Sequence, residues 1–210
     1  MLEKNAMNSF ANLTEKISEF LKKHGFRKKQ HRWMRARSDL IDLIQLQPSR
    51  GSDSESVSFT MNFGLLSPRV YETLVNKPVP KFPSPVDGYP EFRIGFVIGE
   101  NDLWWDIPRD GDLDSFAAEI IALIEAYVFP VFETCENESE LNLVALRMQP
   151  WMQKIPANVL ASGIVDFFAG ERDRGIAKIA CILNDRKASY WHDVAQRILH
   201  QFGASPTNKA

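Results

Sequence analysis

Ser56-Val57-Ser58-Phe59-Thr60-Met61-Asn62-Phe63-Gly64-Leu65 is the stretch that decides the fold. Val57, Phe59, Met61, Phe63 and Leu65 alternate strictly with Ser56, Ser58, Thr60, Asn62 and Gly64. Successive side chains of a strand project to opposite faces, so the pattern predicts an antiparallel strand with one apolar and one polar face. The apolar face must be buried, and the flanking segments supply what buries it.

On the N-terminal side, Phe10, Leu13, Ile17, Phe20 and Leu21 recur at helical spacing and predict a helix from about Asn8 to His24. Lys22, Lys23 and His24 suit the negative end of the helix dipole, and Gly25 is placed to end it in a left-handed turn. Phe26 to Arg37 alternates loosely and Leu40 to Gln47 is apolar up to Pro48, giving two further strands joined at Ser38-Asp39. On the C-terminal side, Pro68, Pro78, Pro80, Pro83, Pro85 and Pro90 exclude a central strand or a long helix between Ser67 and Pro90, and an extended surface excursion is expected. Phe92, Ile94, Phe96 and Ile98 alternate as a fourth strand, and Asp102 to Pro108 reads as a short fifth. Asp112 can cap a helix to about Val128 whose buried stripe is Phe116, Ile120, Leu123, Ile124 and Tyr127.

Beyond this the pattern is helical. Asn137 with Glu140 matches a helix start, and three amphipathic stripes follow: Val159 to Phe168, Ile176 to Leu183, and Trp191 to Phe202. The expectation is an α+β protein: an antiparallel sheet of about five strands with two helices on one face (1–135), an all-helical extension packed on it (136–203), and a disordered tail (204–210).

Composition narrows the function classes only slightly. Of 210 residues, 44% are hydrophobic and 25% charged, which is globular rather than disordered. The formal net charge of -2 points to no class of partner. Cys135 and Cys181 have no CxxC or Cys/His spacing and read as reduced thiols. The first ten residues lack the apolar core of a signal peptide, and no stretch approaches a membrane span, so the cytoplasm is the expected compartment. His24, His31, His192 and His200 are scattered, and HExxH, GxSxG and phosphate-loop patterns are absent. No catalytic residue, metal site or cofactor is therefore assigned.

Several short strings carry a resemblance. They are Gly25-Phe26-Arg27-Lys28-Lys29 leading to Trp33 and Arg35, Gln45-Leu46-Gln47-Pro48-Ser49-Arg50, Ser58 to Gly64, Arg93-Ile94-Gly95, Trp104-Trp105-Asp106-Ile107, and Phe129-Pro130-Val131-Phe132. In this order, over roughly Phe10 to Glu133, the chain resembles a bacterial family catalogued as a domain of unknown function, numbered forty-three hundred and four. The resemblance implies a compact α+β module and brings no catalytic residues with it.

Two surfaces stand out as binding candidates. Lys28, Lys29, Arg32, Trp33 and Arg35 crowd a basic hairpin (22–37) that could meet nucleic acid, with Trp33 stacking on a base. The same residues also suit a solvated edge that resists strand-to-strand aggregation. On the polar sheet face, Gln45, Gln47, Ser58, Thr60, Asn62 and Arg93, with Trp105 beside them, could recognise a peptide or small polar ligand, or form a cleft in an uncharacterised enzyme. The leading expectation is a non-catalytic cytoplasmic binding protein with a macromolecular partner, of immunity-like or regulatory type. Nucleic-acid binding and enzymatic readings follow it.

Overall fold

The computed structural model describes residues 6–52, 56–108, 112–148 and 150–204. The predicted tail from 204 onward lies outside the described residues apart from Ala204. Among the described residues the strands are β1 (Arg27–Lys29), β2 (Arg32–Ala36), β3 (Ile41–Pro48), β4 (Ser56–Leu66), β5 (Glu91–Arg93) and β6 (Trp105–Pro108). They form a six-stranded antiparallel sheet in the order β1-β2-β3-β4-β5, and β6 pairs with β4 beyond the end of β5.

The alternation in β4 does what strand geometry requires. Val57, Phe59, Met61, Phe63 and Leu65 are all fully buried on one face. Helix α1 (Ala6–Lys23) lies on that face through Phe10, Leu13, Ile17 and Leu21, and the Phe10 ring meets Phe59 at 5.4 Å. Gly25 ends the helix at φ +84, where a side chain would be strained. The Phe26–Arg37 segment is not one strand. Gln30 takes φ 58 and folds it into the β1-β2 hairpin, which supplies the extra strand.

Two segments depart from the sequence expectation. The proline-rich stretch holds a helix, α2 (Pro68–Val75), with Pro68 at a first-turn position where a missing N–H costs nothing. Ser67 caps it by accepting a hydrogen bond from the Val70 N–H at 3.2 Å. The rest of the stretch returns over the second sheet face, where Tyr71, Val79 and Phe82 pack on Met34, Leu43 and Leu66. It is a covering layer, not a surface excursion. The expected strand Phe92 to Ile98 stops at Arg93, and α3 (Ile94–Val97) follows. Ile94, Val97 and Ile98 also satisfy i, i+3, i+4 spacing, and the chain doubles back so closely that a Cβ on Gly95 would lie 2.2 Å from the Asn101 carbonyl oxygen.

Asp112 caps α4 (Leu113–Leu123) by accepting from the N–H groups of Asp114 and Ser115. The helix does not end at Val128. A five-residue π turn, Ile124–Val128, joins it to α5 (Phe129–Thr134). The widened turn spans Ala126, whose carbonyl the Pro130 ring would meet in a regular helix. Leu113–Thr134 is long and apolar enough to cross a membrane, with mean hydropathy 1.7, but here it is the second helix on the sheet. Ala117, Ile120, Ile124, Val128 and Phe132 are buried, whereas Tyr127, expected in the stripe, is 40% exposed.

The helical remainder comprises α6 (Leu141–Met148), α7 (Pro156–Phe168), α8 (Arg172–Asn184) and α9 (His192–Gln201). It packs on α2 mainly through α7 and α9 rather than on the open sheet. Three polar ties hold it there. Arg197 donates to the Thr73 and Leu74 carbonyls at 2.8 and 2.6 Å, placing a cation on the C-terminal end of α2. Glu138 takes Arg69 and Ser67, and the Tyr89 hydroxyl donates to Asn142 Oδ1 at 2.9 Å.

Helices α7 and α8 cross at two glycines. A Cβ on Gly175 would lie 2.5 Å from the Gly163 carbonyl oxygen and 2.7 Å from the Phe167 nitrogen. Gly175→Ala is therefore expected to cost about 1–3 kcal/mol, because backbone and not a flexible side chain must move. Urea denaturation of the variant against the parent protein measures this.

Candidate functional site

Strand register assembles the polar face. Lys29 pairs with Arg32, Arg32 with Gln45, Gln45 with Asn62 and Asn62 with Arg93, one row across β1 to β5 on the face away from α1. Gln47 pairs with Thr60 in the adjoining row. Much of this face is satisfied internally. Asn62 donates to Gln47 Oε1 at 2.6 Å and accepts from Arg93 Nε at 3.3 Å. Arg93 Nη1 meets both Asp102 oxygens at 2.6 and 2.8 Å, and its guanidinium lies 5.6 Å from the Trp104 ring. Ser58 donates to Asp106, and Thr60 is fully buried with its hydroxyl unpartnered. Trp105 does not belong to this group. It pairs with Phe59, stacks on that ring at 5.4 Å and donates to Glu119 Oε1 at 3.1 Å, so it is core. Adjacent strand residues face opposite ways, and Trp104 is the neighbour of Arg93.

The basic hairpin divides between the two faces for the same reason. Trp33 is 1% exposed and its indole N–H donates to Ser18 Oγ at 2.9 Å, which removes it from any base-stacking role. Lys28 reaches Glu15 on α1 at 2.5 Å. Arg35 donates from Nε to Asp42 Oδ2 at 2.8 Å and lies 4.8 Å from the Phe26 ring. Only Lys29 and Arg32 of the proposed five remain on the polar row. Asp42, unmarked in the sequence reading, sits fully buried between Arg35 and Arg37. Burial pushes its carboxyl up, and Arg37 and Arg35 oppose the rise.

A broad concavity lies elsewhere, between α2 with the Pro85–Glu91 segment on one side and the residues around α7 and α9 on the other. It encloses about 880 Å³. Tyr71, Leu74, Asp87 and Glu91 face Asn158, Trp191, Asp193 and Arg197 across it. Its rim carries Val75, Val86, Ile155 and Tyr190, which are 41%, 69%, 38% and 85% exposed. The Arg197 guanidinium is committed to the end of α2, and Asp87 accepts from the Ser84 N–H and hydroxyl at 2.8 and 2.9 Å. The Glu91 carboxylate has no hydrogen bond or ion pair among the described residues. Burial raises its carboxyl pKa, Asp87 adds to the rise, and Arg93 opposes it.

Among the described residues this sets Glu91 apart from the buried carboxylates. The two fully buried carboxylates each lie between cations: Asp42 between Arg35 and Arg37, Asp166 between Arg174 at 2.8 Å and Lys178 at 2.6 Å. No local pattern marks the cleft, because its walls lie about 100 residues apart in the chain and Glu91 sits in no motif.

Chemistry beyond binding finds little support in the side chains. Lys178 donates to Ser162 Oγ at 2.8 Å, but Lys178 is ion-paired with Asp166 at 2.6 Å and Ser162 is 1% exposed, so the pair is no nucleophile and base. Burial pushes the Cys135 thiol up to about 12, the opposite of activation. Among the described residues no group of three or more His, Cys, Asp or Glu side chains could hold a metal ion.

A carboxyl whose pKa is raised by folding favours the fold at low pH and opposes it once ionised. Glu91→Gln should therefore melt higher than the parent protein at pH 7. The gain should vanish near pH 3, where the carboxyl is protonated folded and unfolded alike. Paired thermal melts at the two pH values test both halves.

No curated protein and no solved structure matches the chain. A family match covers residues 17–134, which span α1 from Ile17 through the sheet to the end of α5. The strings that suggested the resemblance fall inside it, while the helical remainder and the far wall of the cleft fall outside. By that match the chain belongs to the family described as domain of unknown function DUF4304.

Proposed function

We propose that this chain is a non-catalytic binding protein that takes a segment of a macromolecular partner into the cleft between α2 and the helical remainder. The observation that carries the reading is the rim. Val75, Val86, Ile155 and Tyr190 are large apolar side chains left in solvent around one concavity of about 880 Å³. Exposed apolar groups gathered around a depression mark binding sites, whereas singly scattered ones do not. Tyrosine is also among the residues that dominate binding energy at interfaces.

A regulatory or immunity-type role suits such a protein, and the free thiols of Cys135 and Cys181 suit a reducing compartment such as the cytoplasm. The nucleic-acid reading rests on Lys29 and Arg32 alone, since Trp33 and Arg35 serve the core and Lys28 is paired with Glu15. An enzymatic reading on the polar row would need groups free to act, and Arg93, Asn62 and Gln47 are bonded to one another and to Asp102.

Val86→Ser with Tyr190→Ala should leave stability within about 0.5 kcal/mol, as expected for exposed positions. The double variant should weaken binding tenfold or more to a partner first recovered stoichiometrically from native lysate and then purified. Calorimetric titration of both proteins measures this. Equal affinity would overturn the reading.

A further inference from the structure

We infer that the segment taken by the cleft is basic, and that a lysine or arginine side chain of the partner supplies the cation Glu91 lacks. The inference rests on the cleft being the binding site and adds the chemistry of its occupant.

Taking a carboxylate partly out of water without a counter-charge is unfavourable, and this fold otherwise avoids it. Asp42 and Asp166 are each clamped by two cations, and Asp102 is chelated by Arg93. Among the described residues the Glu91 carboxylate lines the cleft with neither a cation nor a hydrogen-bond donor on it, whereas Asp87 beside it is held by Ser84. The nearest charges do not repair this. Arg93 points its guanidinium at Asp102, and Asp87 adds repulsion. Arg197, the one cation lining the cleft among the described residues, is turned to the carbonyls of α2. Asp193 adds a carboxylate on the opposite wall, beside Arg197.

The remaining lining suits the stem of a long cationic side chain. Tyr71 and Trp191 offer aromatic surface along which methylenes can lie, and a cation above a ring face gains further attraction. Lysine and arginine combine an apolar stem with a charged head, the combination that an aromatic wall and a carboxylate select. The apolar rim would take the flanking residues of an extended peptide, which argues for a protein segment over a free small cation. A phosphodiester chain is disfavoured, because Asp87, Glu91 and Asp193 would repel it.

The full-length protein can be tested on an array of random-sequence dodecapeptides, beside Glu91→Gln and the Val86→Ser, Tyr190→Ala double variant. The expected result is bound peptides enriched in lysine or arginine, at least tenfold weaker binding by Glu91→Gln, and weaker binding by the rim variant. Asp193→Asn, on the opposite wall, should weaken the same peptides more mildly. Glu91→Gln melting at or above the parent temperature would show that its loss is not misfolding. Rim-dependent binding without a basic preference, unchanged in Glu91→Gln, would overturn the basic segment while leaving the cleft as the site. Peptide binding that ignores the rim variant, no peptide binding, or retention only of oligonucleotides on a parallel array would overturn both.

Discussion

Strand β4 is paired along both edges over most of its length and has no free face at its centre. One edge is bonded to β3 from Phe59 to Leu66, and the other is shared by β6 at Ser56–Phe59 and β5 at Asn62–Gly64. Fully buried aromatic and aliphatic side chains fill one face, and Thr60 and Asn62 are buried on the other. The strand is the frame from which every other position is measured. Because side chains alternate along it with period two, its pairing decides which residues of β3, β5 and β6 reach the helices and which form the polar row, and β3 passes the register on to β2 and β1.

The chain returning from β4 must cross the second sheet face to supply β5, and that crossing builds the cleft. Gly64 has the Pro90 carbonyl oxygen 3.0 Å from where its Cβ would be, and Gly88 has the Leu65 carbonyl oxygen at 2.6 Å, so backbone passes backbone with no room for a side chain. Close passage there sets Glu91 beside the Pro85–Asp87 turn, and α2 offers its outer side to α7 and α9. The helical remainder, which the family match does not cover, thereby becomes the second wall. Tyr89 with Asn142 and Arg197 with the end of α2 hold the two walls together, and both ties are polar. Carboxylates follow a related division: the buried Asp42 and Asp166 have cations supplied by the fold, and the half-buried Glu91 in the cleft does not.

Period-two and period-3.6 patterns are local, so they were readable from residues such as Val57, Phe59 and Met61 or Leu13 and Ile17 without any partner. Gly25 and Asp112 were readable for the same reason, since caps and turns are satisfied within a few residues. Short segments that fit two periods were not. Ile94 to Ile98 alternates and also fits one helical turn, and only the close return of Asn101 and Leu103 on Gly95 selects the turn. Proline counting misled between Ser67 and Pro90 because Pro68 stands at a helix start and the later prolines lie in a covering layer.

For the candidate site the division is sharper. The sequence by itself determined that a strand with one polar face exists and that Ser58, Thr60 and Asn62 lie on it, because alternation is a property of the strand alone; Gln45 and Gln47 join them only through the register of β3. It could not assign Trp33, Arg35 or Trp105, whose faces depend on the register of a neighbouring strand and on Asp42 and Phe59 across it. The cleft was decided by tertiary structure only. Glu91 and Asp193 share it because β5 and α9 converge on α2, and no local propensity encodes a convergence of segments so far apart in the chain.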